Sequence, residues 1–387
     1  MAQVLFKTRP PRDLRWIIAM RHALSVAVRS LPRSPAPQLP SSGMILPLVS
    51  NIHAVAKRAG VSTATVSRVL SRPDVVAPST RLRVLKAVEH LGYTPNSAAK
   101  HLRTRRSGKI LVMVPDISNP FFSLILQGIE DAAQREGYAV LVGDTQHDAN
   151  REERYALMLR RKEADGLIFL GHRLPKVAAE LVRSMAPLCA PVVNGCEFSP
   201  ALGVPGVHID NNSAAAEAME HLYSLGHRRI GVITGPLESP LSGDRLLGTM
   251  TCAKSHRAED SLIVLTGDFS IASGFAAAEQ LLGSPEPPTA IFCFSDEMAI
   301  GVIDAARRRG VRVPCHLSIV GFDDIRFARH VDPPLTTIAQ PMCDIGHGTV
   351  RLLLDILSGR MSPPPSVTLP HQLVVRSSTA QLLTPNH

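Results

Sequence analysis

From Lys109 onward, short β-branched and aliphatic runs alternate with stretches of helical character, and this alternation restricts the fold more than any other feature. KILVMVPD, YAVLVGD, GLIFLG and APVVNG are separated by the helical segments Phe121–Arg135, Arg151–Arg161 and Lys176–Arg183. Runs that are apolar almost throughout, rather than at every second residue, belong to strands buried on both faces, so a parallel sheet covered by helices on both sides is expected. A second series begins at GVHID and continues through RIGVITG, SLIVLTGD, TAIFCFSD and LSIVGFDD. Two doubly wound halves therefore follow one another. Ligands bind outside the carboxyl ends of such strands, which makes the cleft between the halves the natural site.

Upstream, NIHAVAKRAGVSTATVSRVL reads as two short helices joined at Gly60-Val61-Ser62. Val55, Ala56 and Ala59 share one stripe of the first helix, and Val66, Val69 and Leu70 one stripe of the second. Gly60 suits a left-handed helix end, and Ser62 suits an N-cap. A third helix spans Ser79 to Tyr93, with Pro78 at its first turn, Gly92 at its end, and Val84, Leu85, Val88 and Leu91 as its buried stripe. The outer face of the second helix then carries Thr63, Ala64, Ser67 and Arg68. Small side chains permit close approach to a major groove, hydroxyls reach phosphates, and arginine can bond guanine twice. An ordinary helical hairpin with a solvated face is the plain alternative. The next segment, Pro95 to Arg103, has helix-forming residues but is too short to hold a helix alone in water, so it would order only on a partner.

Charge separates the same regions. Net charge is +6 over residues 1–43, +9 over 44–107 and −6 over 108–387. A basic amino-terminal region on an acidic body points to an anionic polymer as partner rather than to general membrane adhesion.

VAKRAGVSTATVSRVL followed by YTPNSAAKHLRT closely resembles the headpiece and hinge of the LacI family of bacterial repressors. The resemblance implies base-reading positions at Thr63, Ala64 and Arg68, and phosphate contacts at Ser62, Thr65 and Ser67. It also implies a DNA-contacting hinge that includes Asn96 and Ala99 and places Leu102 as a wedge in the minor groove. Asn51 replaces the threonine usual at the first cap, and Ala54 stands where an aspartate is general, which leaves capping and phosphate contact at this edge open. PDISNPFF, GHRRIGVITGP, GDFS, PPTAIF, SDEMAIG, LSIVGFDD and DPPLTTIAQP extend the resemblance across the body. It implies the two-lobed fold of periplasmic sugar-binding proteins with three crossovers. One lobe would comprise roughly 109–208 plus 339–367, the other roughly 209–338 plus a last strand near 371–377. Residues 249–262 lack the expected aromatic-and-glycine pattern, so a shortened or altered helix and loop are expected there.

The expected organisation is thus an extension at 1–43, a helix-turn-helix headpiece at 44–94, a hinge at 95–108 and a two-lobed effector-binding and dimerisation domain at 109–380. In this α/β architecture, a small all-α DNA-binding headpiece precedes a periplasmic-binding-protein-like body of doubly wound parallel sheets. The implied partners are double-stranded operator DNA, a small effector (a nucleoside or a sugar) and a second copy of the chain. A tetramer stays open, although no heptad-patterned tail follows Ala380. Within the family, the resemblance of several body blocks implies a pyrimidine nucleoside as inducer, with a sugar or a purine as the alternative.

For such a ligand, hydroxyls need charged or amide groups and the ring needs a flat apolar face. Asp296 ends the TAIFCFSD strand and is the expected acceptor for two vicinal hydroxyls, with capping of the following helix as its alternative role. The resemblance places Arg245 at the ligand-binding arginine and Phe269 at a ring-stacking position, with Phe121 and Phe122 entering from the other lobe. A surface salt bridge and plain core packing are the respective alternatives. Asp116, with Ser118 and Asn119, lies on the loop after the first strand and suits either ligand contact or a helix cap. Asn194 and Glu197 are further candidates.

No Walker-type phosphate loop, nucleophile elbow or Ser/His constellation is present in the sequence, which argues against an enzyme. The six cysteines are scattered without metal-ligand spacing and fit thiols in a reducing cytoplasm; no metal and no cofactor is expected. No apolar run reaches membrane-spanning length. In residues 1–43, Arg21 and His22 interrupt the apolar stretch Trp16–Met20 before it can act as a signal peptide, and four prolines between Pro32 and Pro40 prevent a long regular element. The expected reading takes Met44 as the true start; a real basic arm is the alternative.

Overall fold

A computed structural model describes residues 51–93, 106–186, 189–359 and 366–382. The extension at 1–43 and the hinge positions Asn96, Ala99 and Leu102 lie outside the described residues.

The headpiece contains α1 (Ile52–Ala59), α2 (Thr63–Ser71) and α3 (Pro78–Leu91). Asn51 does cap α1, its side-chain oxygen accepting the Ala54 amide at 2.9 Å. Gly60 ends α1 with φ +63°, and Ser62 caps α2 by accepting the Thr65 amide at 3.2 Å. Val55, Val66 and Val84 are fully buried where the three helices meet. Leu85 departs from expectation. It is 46% exposed, and Ala87, three residues on from Val84 and so on the same helical face, takes the buried place instead.

The body holds two six-stranded sheets. β1 (Lys109–Val114), β2 (Ala139–Asp144), β3 (Gly166–Phe169), β4 (Val192–Gly195), β5 (Gly206–Ile209) and β11 (Val367–Leu369) form the first, in the order β11-β5-β4-β3-β1-β2. β6 (Ile230–Thr234), β7 (Leu262–Thr266), β8 (Ala290–Cys293), β9 (Ser318–Asp323), β10 (Thr336–Ala339) and β12 (Gln372–Val374) form the second, in the order β12-β10-β9-β8-β6-β7. All the pairings are parallel except that of β10 with β12. The strand in GVHID, expected to open the second series, belongs to the first sheet as β5, paired to β4 and β11. Its central position between two strands is reached before the chain crosses over.

Helices α4 (Pro120–Arg135), α5 (Ala149–Arg160), α6 (Lys176–Met185) and α11 (Met342–Ser358) cover the first sheet. The second is covered by α7 (Asn211–Ser224), α8 (Pro240–Ser255), α9 (Ile271–Leu282) and α10 (Asp296–Arg308). The chain crosses between lobes after β5, between β10 and α11, and between β11 and β12. Of the two expected alternatives, shortening of the helix is not seen: α8 runs 16 residues. Gly248 lets it approach α7 so closely that a Cβ there would lie 2.1 Å from the Asn212 carbonyl oxygen. The first strand is anchored at its start by Asp165, whose carboxylate accepts the backbone amides of Ser107 at 2.6 Å and Gly108 at 2.8 Å.

Candidate effector cavity and DNA-reading helix

Loops at the carboxyl ends of the parallel strands converge on one cavity with about 660 Å³ of atom-free space, part of it open to solvent. From the first lobe, the loop after β1 supplies Asp116 and Asn119, and the first turn of α4 supplies Phe121 and Phe122; the loops after β2 and β4 supply His147, Cys196 and Glu197. Leu241 and Arg245 come from α8, Asp268 to Ser270 follow β7, Ser295 and Glu297 begin α10, and Asp323 ends β9. Four of these residues have left-handed backbones: His147 (φ +55°), Cys196 (φ +62°), Phe269 (φ +69°) and Asp323 (φ +120°). Non-glycine residues held this way cost of order 1–3 kcal/mol each, and such strain concentrates where a fold positions side chains for a ligand.

Arg245 is the electrostatic centre. It is 3% exposed, and its Nε donates to Asn211 Oδ1 at 2.9 Å while Nη1 donates to the Phe294 carbonyl. The guanidinium carbon sits 3.6 Å from the centre of the Phe322 ring, which adds a cation–π contact. Nη2 lies 4.0 Å from Asp323 Oδ1, too far for a direct hydrogen bond, so a donor edge and an acceptor edge stand side by side on the cavity wall. Burial pushes the Asp323 carboxyl up to about 7, against the lowering influence of Arg245 and of the Gln340 amide that donates to it at 2.7 Å. Glu197 is similar: burial raises it to about 7, while the Ser239 hydroxyl donates to it at 2.7 Å.

The apolar wall is aromatic. Phe121 and Phe122 meet edge to face with centroids 5.2 Å apart and are both almost buried. Phe269 reaches over Gly235, where a Cβ would come within 2.0 Å of its ring. Asp116 lines the cavity while accepting the Ser118 amide at 2.8 Å, and Asn119 caps α4 through the Phe121 amide at 2.9 Å.

Asp116, Phe121, Phe122, Arg245 and Phe269 are thus brought together, and two expected contacts are not. Asp296 is fully buried off the cavity: one carboxylate oxygen accepts Thr337 Oγ1 at 2.6 Å and the other the Ile325 amide at 2.8 Å. As the first residue of α10 it turns beneath β9, where glycine at 321 makes the room, since a Cβ there would lie 2.2 Å from its carboxylate. Burial, and after it the negative charge of Asp323, raise its pKa well above the carboxylate range. Asn194 likewise turns from the cavity, its amide donating to the carbonyls of Phe169 at 3.2 Å and Gly171 at 3.0 Å. Asp323 was missed although it carries the same signal as Asp296, a carboxylate ending an apolar strand in IVGFDD; spacing alone does not reveal which of two such carboxylates faces inward.

On the headpiece, Ala64 and Arg68 of α2 are exposed, with Thr63, Thr65 and Ser67 half-buried beside them. The Ser62 hydroxyl already serves the cap and lies 3.0 Å from Thr65 Oγ1.

Residues 51–96 match the model for bacterial regulatory proteins of the lacI family, and residues 219–379 match that for a periplasmic binding protein-like domain. The HTH-type transcriptional repressor CytR of Escherichia coli K12 is 44% identical over 330 residues, covering 85% of this chain and 96% of CytR. The chain belongs to the LacI family. It is a ligand-responsive, DNA-binding transcriptional regulator. Catabolite control protein A of Priestia megaterium is 38% identical, covering 85% of this chain and 98% of its own length. Among solved structures, the lac repressor dimer bound to operator and the anti-inducer ONPF matches with a TM-score of 0.77 at 28% identity, covering 86% of this chain and 99% of that one. The regulator CelR in complex with cellobiose matches at 0.65 and 32% identity, covering 85% and 99%. These relatives are regulators, and no described helix of this LacI-family chain is long and apolar enough to cross a membrane.

Proposed function

We propose that this LacI-family protein is a cytoplasmic repressor whose operator affinity is set by a pyrimidine nucleoside, cytidine being the first candidate, bound in the cavity between the lobes. The observation that carries this reading is the placement of Arg245 and Asp323 beside Phe269 in one cavity. A guanidinium and a carboxyl a short gap apart match the acceptor and donor pattern of a vicinal diol, and an aromatic face suits a flat base. Asp116 and Phe122 contribute from the opposite lobe, so a bound ligand would bridge the two. The resemblance of the body blocks supports the nucleoside class, and the fit to the CelR–cellobiose complex keeps a sugar as the second reading.

On DNA, Thr63, Ala64 and Arg68 read bases from α2, Ser62, Thr65 and Ser67 contact phosphates, and the hinge positions Asn96, Ala99 and Leu102 enter the minor groove. One headpiece reads one half-site, so a two-fold dimer matches a near-palindromic operator. Ligand bridging shifts one lobe against the other and changes operator affinity only as far as the ligand prefers one arrangement. The effector is bound and released unchanged.

Calorimetric titration of the full chain with cytidine, adenosine, hypoxanthine and a sugar panel tests the reading. Saturable cytidine binding that Asp323→Asn weakens is the expected result. Binding of a sugar alone would replace the nucleoside, and cytidine binding insensitive to Asp323→Asn would move the site.

A further inference from the structure

At the end of the second lobe remote from the cavity, three unlike donors meet. Glu220 lies on α7, Cys252 on α8, and His256 is the residue that ends α8. Glu220 Oε2 is 2.7 Å from His256 Nε2 and 3.6 Å from Cys252 Sγ, and all three donor atoms lie within 4.8 Å of one another. Among the described residues, this is the single group of three His, Cys, Asp or Glu side chains so arranged.

We propose that this trio binds a divalent transition-metal ion of borderline softness, with Zn²⁺ as the fitting ion. Thiolate, imidazole and carboxylate are the three ligand types that zinc takes together, whereas Mg²⁺ and Ca²⁺ avoid sulfur. Tetrahedral geometry with bonds of about 2.0–2.3 Å places ligand atoms about 3.3–3.8 Å apart. The Cys252–Glu220 separation already has that value, and the His256–Glu220 pair need open by only about 0.7 Å. Cys252 and His256 are four residues apart at the end of α8 and so lie on one helical face.

A second feature marks the same place. The Tyr223 ring stacks on His256 with centroids 4.4 Å apart and so fixes the imidazole plane. Tyr223 is 2% exposed, and its hydroxyl has no hydrogen-bond partner among the described residues. A metal-bound water in the fourth position would offer that orphaned hydroxyl a partner. On binding, the Cys252 thiol releases its proton to solvent and the His256 imidazole binds neutral through Nε2. The ion then pins α7 to the far end of α8, the helix that carries Arg245. The sequence concealed the site because the carboxylate comes from a different helix.

Co²⁺ titration of the full, chelator-treated chain is the test. One equivalent should bind per chain and produce thiolate-to-cobalt charge-transfer absorption together with intense tetrahedral d–d bands. Cys252→Ser should abolish the charge-transfer band. Glu220→Gln, at an exposed position that does not endanger folding, should weaken Co²⁺ binding roughly tenfold or more, since even outer-shell partners are worth that much. Zn²⁺ should displace the bound cobalt. Absence of the charge-transfer band in the unmodified chain, its survival in Cys252→Ser, or unchanged affinity in Glu220→Gln would each overturn the assignment.

Discussion

Replacing Glu197 with Gln should remove a pH dependence of stability that the wild-type body carries. Glu197 is 7% exposed, and burial lifts its carboxyl from an ordinary 4.5 to about 7. A carboxyl whose pKa is raised by folding binds its proton more tightly in the native state. Its contribution is therefore fully present below about pH 4.5, is lost as pH rises to about 7, and is flat above that. A rise of two and a half units corresponds to about 3 kcal/mol across that window. Gln stays neutral throughout, and its side-chain oxygen still accepts the Ser239 hydroxyl. Urea unfolding of both proteins at a series of pH values, followed by circular dichroism, isolates the effect because every other group is common to the pair. Glu197→Gln should gain on the parent by about 3 kcal/mol between pH 4.5 and pH 8. Stability curves that stay parallel over that range would show that the Glu197 carboxyl is not held protonated by the fold.

Two further substitutions separate reading from scaffolding. Arg68→Ala should cost about 1–3 kcal/mol of operator binding and relax base preference, as measured by anisotropy on specific and random duplexes; equal behaviour with the parent on both would contradict the placement of α2 in the groove. Asp296→Ala should destabilise the second lobe, since it leaves the Ile325 amide and the Thr337 hydroxyl unpaired at about 1–3 kcal/mol each. Thermal unfolding would show the loss, whereas full stability with a lost effector response would return Asp296 to the cavity wall.

What the sequence made legible was local. The stripes Val55–Ala59 and Val66–Val69, the caps at Ser62 and Gly92, and the strand-helix alternation all follow from spacings of a few residues, and they appear in the fold. Leu85 was misplaced because hydrophobicity outweighed angle: a small core has room for a narrow stripe, and Ala87 fits it better. GVHID was assigned to the wrong half because sheet order depends on pairing across distant segments. The cavity was legible as a set of strand ends, but orientation was not. Asp296 and Asp323 both terminate apolar strands, and only the packing of α10 over Gly321 turns one beneath the sheet while the backbone at Asp323 directs the other inward. Glu220, Cys252 and His256 illustrate the same limit, since a spacing rule within one segment cannot register a ligand supplied by a neighbouring helix.

The central claim is that a ligand held by Arg245 and Asp323 sets the affinity for DNA. The direct measurement is the affinity of the full chain, at fixed salt, for a duplex selected from a random pool, with and without saturating cytidine. A near-palindromic selected site and an affinity that cytidine changes in the parent but not in Asp323→Asn is the predicted result. Enrichment of no sequence, or a cytidine effect that persists unchanged in Asp323→Asn, would contradict it.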